Sequence, residues 1–348
     1  MLRSPANSLL DSALNEDALL SCFPSLQTSV GVDRRGFERL LRSLEVGKTP
    51  ISQYSALTYL RASDDLPAAE FKQLVLAIAA KSGGYDEAIE ILEMRLVRGS
   101  NRGQDSETEV LNAGRELLRG YRFHHVQDLE DFHLGQVALH CLIAESDAEI
   151  AREMCCRLRE STVNHEATAD RYDHLLSALL ALQPKAALDG LFAEAPESNW
   201  RPRRGRSELG FFRVRPFDFV ELDLLMEWCE EDPSARFPLA ASGVAPFEVD
   251  TEKMPTTWSP VALRLLVNAP DRIAVAQHLI ANFSPISSWG SRADVIEASG
   301  RLLDDLGQFQ DEALNHYLAQ EKERLAHAVE EERKTDRWTD IERDDRFE

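Results

Sequence analysis

Residues 67–97 read PAAEFKQLVLAIAAKSGGYDEAIEILEMRLV, and their spacing decides the fold. Apolar residues recur at helical intervals on both sides of Gly83-Gly84. The pattern predicts one helix from about Pro67 to Lys81, with Asp65 placed to cap it, and a second over Tyr85–Val97. Ala88, Ile91, Leu92 and Leu96 fall on one side of the second helix. The glycine pair supplies the left-handed backbone that ends a helix. Two amphipathic helices joined by so short a turn pack antiparallel, so the unit is a helical hairpin.

The same grammar extends outward in both directions. Towards the N-terminus, Ser8–Cys22 and Phe37–Leu44 show helical spacing, and Pro50 opens a further helix, ISQYSALTYL. Towards the C-terminus, helical patterns cover Asp105–Leu118, Asp131–Ala144, Asp147–Arg159 and the long run His165–Leu182. Pro184 starts another, and Phe217–Glu230 follows. Ser259-Pro260 supplies a cap and a first-turn proline for PVALRLLVN, Asp271 precedes RIAVAQHLIANF, and a last helix spans about Gln310–Lys334. Only FFRVRPF (Phe211–Phe217) and PFEVD (Pro246–Asp250) alternate as strands do, too little to found a competing sheet. The fold class is therefore all-α. Repeated hairpins of about 30–45 residues point to an α-solenoid of the HEAT or TPR kind, with a globular helical bundle as the alternative. The expected organisation is a repeat array over 1–193, a helix with two long irregular loops over 194–258, further repeats with a capping helix over 259–334, and a charged tail over 335–348. The long loops are placed near 194–216 and 232–258.

Composition narrows the function. The 348 residues include 60 Asp and Glu against 39 Lys and Arg, a formal net charge of −21. So acidic a surface opposes nucleic acid and anionic membranes unless a local patch inverts the sign. With 43% hydrophobic and 28% charged residues, the chain has the balance of a folded protein. No apolar run reaches the roughly 18–20 residues that span a bilayer. Asp11, Glu16 and Asp17 interrupt any signal-like stretch at the start, so a cytoplasmic location is expected. Five cysteines without a C-x-x-C pair fit a reducing compartment, with Cys141, Cys155, Cys156 and Cys229 packed as small hydrophobes.

Motifs for catalysis are incomplete. Gly47-Lys48-Thr49 ends like a phosphate-binding loop, but Arg42 stands where its first glycine is required. Glu130 and His133 form one E-x-x-H element, with His140 two turns on, yet the second element of a di-iron bundle is missing. His165-Glu166 begins a zinc pattern whose second histidine is replaced by Ala169. Gly205-Arg206-Ser207 continues with Glu208, which is not a nucleophile elbow. No cofactor is expected. A metal-dependent enzyme around Glu130, His133 and His140 is a disfavoured alternative.

The sharpest local anomaly is residues 200–217, WRPRRGRSELGFFRVRPF. Trp200, Arg201, Arg203, Arg204, Arg206, Phe211, Phe212, Arg213 and Arg215 are the candidate partner-binding residues, with Phe217 closing the stretch. Arginine forks grip phosphates and aromatic rings stack on bases, so a nucleic-acid or phosphate ligand is one reading. The net negative charge favours the other, a protein partner or docking on acidic ridges of the same chain.

WSPVALRLLVNAPD (258–271), SSWGSRADVIEASGRLLDDL (287–306) and ERDDRFE (342–348), together with the hairpins, carry a resemblance. The chain resembles the C-terminal helical-repeat region of large bacterial proteins of the STAND or NACHT type, some of which defend against phage. It lacks Walker A and Walker B elements, so the nucleotide-hydrolysing module of such proteins is absent. The resemblance implies a non-catalytic recognition or sensor module that binds a protein partner.

Overall fold

The computed structural model describes residues 3–59, 61–100, 108–125, 128–193, 216–251, 254–283, 292–309 and 311–345. They are predominantly helical, and the sheet among them is a single two-stranded ribbon. The chain divides into two compact units at residues 196 and 197.

The first unit contains α1 (Arg3–Ala13), α2 (Asp17–Leu20), α3 (Phe23–Val30), α4 (Arg34–Val46), a 3-10 helix at Ile51–Thr58, α5 (Ala68–Ala79), α6 (Tyr85–Ser100), α7 (Thr108–Gly120), α8 (Asp128–Cys141), α9 (Ala148–Val163), α10 (Asp173–Leu182) and α11 (Pro184–Leu188). The opening hairpin forms α5 and α6. Gly83 turns with φ 71°, and a Cβ on Gly84 would lie 2.1 Å from the Ile78 carbonyl oxygen, so the join requires glycine. From α5 onward each helix packs on the next but one, and α5 with α6, α6 with α7, α7 with α8 and α10 with α11 also pack in succession. As a result α5, α7, α9 and α11 form one layer, and α6, α8 and α10 the other. Phe71, Leu74, Ile78, Leu92, Leu117, Val137 and Leu179 fill the space between layers.

Polar ties repeat along this unit at the scale of one hairpin. Arg39 donates to Asp11 (2.7 Å), Arg115 forks onto both oxygens of Asp147 (2.8 and 3.1 Å), and Arg159 donates to the Gly190 carbonyl (2.8 Å). Arg95 and Arg157 donate to carbonyls at the ends of preceding segments, Leu66 and Leu118. Arginine forks suit such capping because orphan carbonyls at helix ends need donors. The described ties between successive hairpins span 24 to 51 residues of sequence.

The second unit begins with a 3-10 turn at Pro216–Phe219. It continues through α12 (Leu222–Glu231), α13 (Pro233–Gly243), β1 (Phe247–Val249), β2 (Pro255–Trp258), α14 (Pro260–Asn268), α15 (Arg272–Ala281), α16 (Arg292–Leu302), a 3-10 stretch at Leu303–Gln308 and α17 (Glu312–Asp345). The strands pair antiparallel with Phe247 opposite Trp258. Those rings sit 4.8 Å apart and Phe283 joins them, while Trp258 Nε1 donates to the Leu302 carbonyl (2.7 Å). Ser259 caps α14 as its sequence predicts, and Asp271 caps α15.

Several expectations are corrected. Residues 232–258, expected to be irregular, hold α13 and both strands: Asp232 accepts from the Ala235 amide, and Pro233 occupies the first turn. α5 begins after Pro67 without a side-chain cap, so Asp65 does not cap it. Ile51–Thr58 is 3-10, not α. The run His165–Leu182 is not one helix, because α9 stops at Val163, His165 adopts φ 60°, and α10 starts at Asp173. α17 continues through residues 335–345, expected to be tail. The loop placed near 194–216 falls almost wholly outside the described residues.

Candidate functional site

The nine residues singled out by composition, Trp200, Arg201, Arg203, Arg204, Arg206, Phe211, Phe212, Arg213 and Arg215, lie outside the described residues. Phe217, at the end of that stretch, is 1% exposed and packs on Trp228 with ring centroids 6.4 Å apart. It anchors the core of the second unit, and no base could stack on it. The Gly47-Lys48-Thr49 fragment is a helix stop: Gly47 takes a left-handed φ of 69°, Lys48 pairs with Asp17 (2.7 Å), and Thr49 donates to the Leu20 carbonyl (2.7 Å).

Glu130, His133 and His140 all come from α8, which shares its layer with α6 and α10. His133 turns to α6, where its Nδ1 stands 3.4 Å from Glu93 Oε2 without hydrogen-bond geometry. The Glu93 carboxylate raises the His133 pKa above its ordinary value, against the opposing effect of burial. Burial instead lowers that of His140. Among the described residues, no group of three or more His, Cys, Asp and Glu side chains is arranged to hold a metal ion. The three do not assemble as an E-x-x-H centre. Glu93 is the residue that sequence reasoning missed, though it carried a signal: a carboxylate between Leu92 and Leu96, inside an otherwise apolar stripe.

A cleft of about 300 Å³ opens where α6, α8 and the segment around Tyr121 meet. Ile89, Leu134 and Tyr121 are buried beneath it, and Asp86, Glu87, Glu90 and Glu130 are half-buried around it. No lysine or arginine is among its lining residues. His124 Nε2 lies 4.0 Å from Asp86 Oδ2. Burial, with Glu90 and Asp86 beside it, pushes the Glu87 carboxyl up to about 7. Burial also raises Asp86, and Glu130 adds to the effect. Carboxylates crowded and partly dried in this way favour an arriving cation.

Next to the cleft, α8 presents an apolar edge. In DLEDFHLGQVALHC the apolar residues are spread around the helix among polar ones instead of gathered on one face. Leu134, Val137, Ala138 and Cys141 are indeed buried, and Asp131 accepts from the His174 and Leu175 amides (2.8 and 3.1 Å), capping α10 from its neighbour. Gly135 permits that approach, since a Cβ there would lie 2.8 Å from the His174 backbone. Yet Leu129 and Ile143 are 65% and 67% exposed, and Phe132 and Leu139 each 38%. Leu129, Phe132 and Leu139, spaced by three and seven residues, share one side of α8, and Ile143 follows two residues past its end.

Nucleophilic chemistry finds little support among the described cysteines, for burial pushes the Cys141 and Cys229 thiols up to about 12 and Cys155 higher still. The stretches carrying the family resemblance are structural where their side chains are described, Trp258 and Ser259 serving the ribbon and the α14 cap. Compared with known proteins, the chain matches no family model, no curated protein and no solved structure.

Proposed function

We propose that the first unit is a helical-repeat array that recognises a partner protein on the outward edge of α8. The repeat reading is supported by helices that each pack on the next but one, and by polar ties that recur at hairpin scale. The recognition reading rests on one observation: a helix held on both sides by α6 and α10 leaves Leu129, Phe132 and Leu139 in water, with Ile143 exposed just past its end. Exposed apolar residues scattered singly need no explanation, but a row along one helix marks a contact surface. The role implied is non-catalytic, a scaffold or sensor. The acidic chain, at a net charge of −21, is repelled by anionic lipid and nucleic acid, so the row is assigned to a protein partner.

A photo-crosslinking residue placed at Leu139, in the full chain expressed in its native cell, tests the proposal. It is expected to capture a discrete partner that the same residue at Glu323 of α17 does not, and Leu129→Ser with Ile143→Ser is expected to abolish the adduct without lowering the melting temperature. Equal capture from both positions would remove the proposal.

A further inference from the structure

The reading of the α8 edge as a protein-docking surface is the premise here. We propose that its occupant is an amphipathic α-helix of the partner whose apolar stripe covers Leu129, Phe132, Leu139 and Ile143 and whose lysine or arginine enters the α6–α8 cleft against Glu87 and Glu90.

On α8 the exposed row runs from Leu129 to Leu139, about 15 Å at helical rise, and with Ile143 just past the helix end it matches about three turns of a docked helix. Met94 and Val97 lie on the same stripe of α6 as Glu87 and Glu90 and are half-exposed, so the apolar ground continues beside the cleft. The cleft itself has the two parts that a long cationic side chain needs. Ile89, Leu134 and the Tyr121 ring offer a buried floor for a methylene stem, while carboxylates stand at the mouth for the charged head. His133 lines the cleft but turns to Glu93, and no lysine or arginine among the lining residues stands against Glu87 and Glu90.

Charge also selects among occupants. A second copy of this chain meeting face to face would set the same acidic rim against itself, on a protein already at −21. Nucleic acid and anionic lipid carry the wrong sign. A helix with an apolar side and a basic flank satisfies both halves of the surface.

The test uses three synthetic 18-residue peptides and the full-length protein, with binding measured by calorimetry at low and physiological salt. The first peptide carries a leucine stripe flanked by lysines, the second replaces the lysines with glutamates, and the third is the lysine peptide with two central prolines. The lysine helix is expected to bind, with the glutamate and proline peptides weaker by about tenfold or more. Glu87→Gln with Glu90→Gln is expected to weaken the lysine helix about tenfold, and Glu312→Gln with Glu323→Gln on α17 to change nothing. If the lysine and glutamate helices bind alike, and both are lost in Leu129→Ser with Ile143→Ser, the docking surface stands and the cationic occupant is overturned. If the α17 pair weakens binding as much as the cleft pair while the serine variant binds normally, the attraction is diffuse and both readings fail. Absence of binding by all three peptides overturns the occupant proposed here and leaves the crosslinking result to judge the surface.

Discussion

Two grooves, one in each unit, differ in how they treat their own charges. The cleft between α6 and α8 gathers carboxylates with no lysine or arginine among its lining residues. The groove between α16 and α17, of about 410 Å³, is lined by Ile296, Leu325 and Val329 and by charges that answer one another. Arg301 and Arg333 both hold Glu297, and Lys322 holds Asp304. The second groove is finished within its own unit, whereas the first keeps a surplus of one sign beside an apolar edge. An unbalanced charge next to exposed apolar surface is the better mark of recognition, because the completing groups then belong to something else.

The largest effect expected concerns the α8–α10 contact on which the open edge depends. Asp131→Ala strips the cap from the buried α10 amides and is expected to cost about 2 kcal/mol, read by urea unfolding, with the row on α8 displaced as a consequence. Retention of full stability would show that α10 does not hold α8 in place.

Next comes the sign of the charge effect in each groove. Glu87 has its folded pKa raised from 4.5 to about 7, so the stability linked to its protonation is fully present below pH 4.5 and lost as pH rises through about 7. Glu87→Gln is therefore expected to stabilise the protein at pH 8 by about 1 kcal/mol after allowance for solvent screening, with the gain gone below pH 4.5. Glu297 is the opposite case, its pKa lowered first by the Arg301 hydrogen bond, so its contribution is present above the ordinary 4.5 and lost as pH falls through the depressed value. Glu297→Gln is expected to destabilise at neutral pH. Matching signs in the two variants would erase the distinction between the grooves.

A finer test sharpens the first groove. His133 gains stability from Glu93 below its ordinary pKa of 6.5, and that contribution is lost as pH rises through the raised value. Glu93→Gln is expected to bring the His133 titration, followed by NMR, down towards or below 6.5. An unchanged titration would mean that the 3.4 Å pair does not exist in solution. The smallest effect belongs to the exposed row: Ile143→Ser is expected to alter stability by no more than about 0.5 kcal/mol.

Local rules made much of this fold legible. Proline and glycine punctuation marked the α5–α6 hairpin, Ser259 announced the cap of α14, and Pro270-Asp271 marked the start of α15. The failures came where a local signal was ambiguous. The left-handed turn at His165 carries only a weak signal, since histidine is enriched at positive φ but marks it far less strongly than glycine. The proline and glycine content of 232–258 suggested a loop, but Pro233 sits in the first turn of α13, where it is tolerated. The site was less legible because it is made by distance. Glu93 and His133 are on different helices, and whether the apolar side of α8 is covered depends on which neighbours the array provides. Hydrophobicity alone cannot separate a helix buried all round from one left open along an edge.

Hydrogen exchange on the full chain, with and without the lysine helix peptide, tests the central claim most directly. Slowed exchange is predicted in residues 85–97 and 128–143, with residues 292–333 of the self-neutralised groove unchanged. Protection confined to 292–333, or none in 128–143 under conditions where the peptide binds, would contradict it.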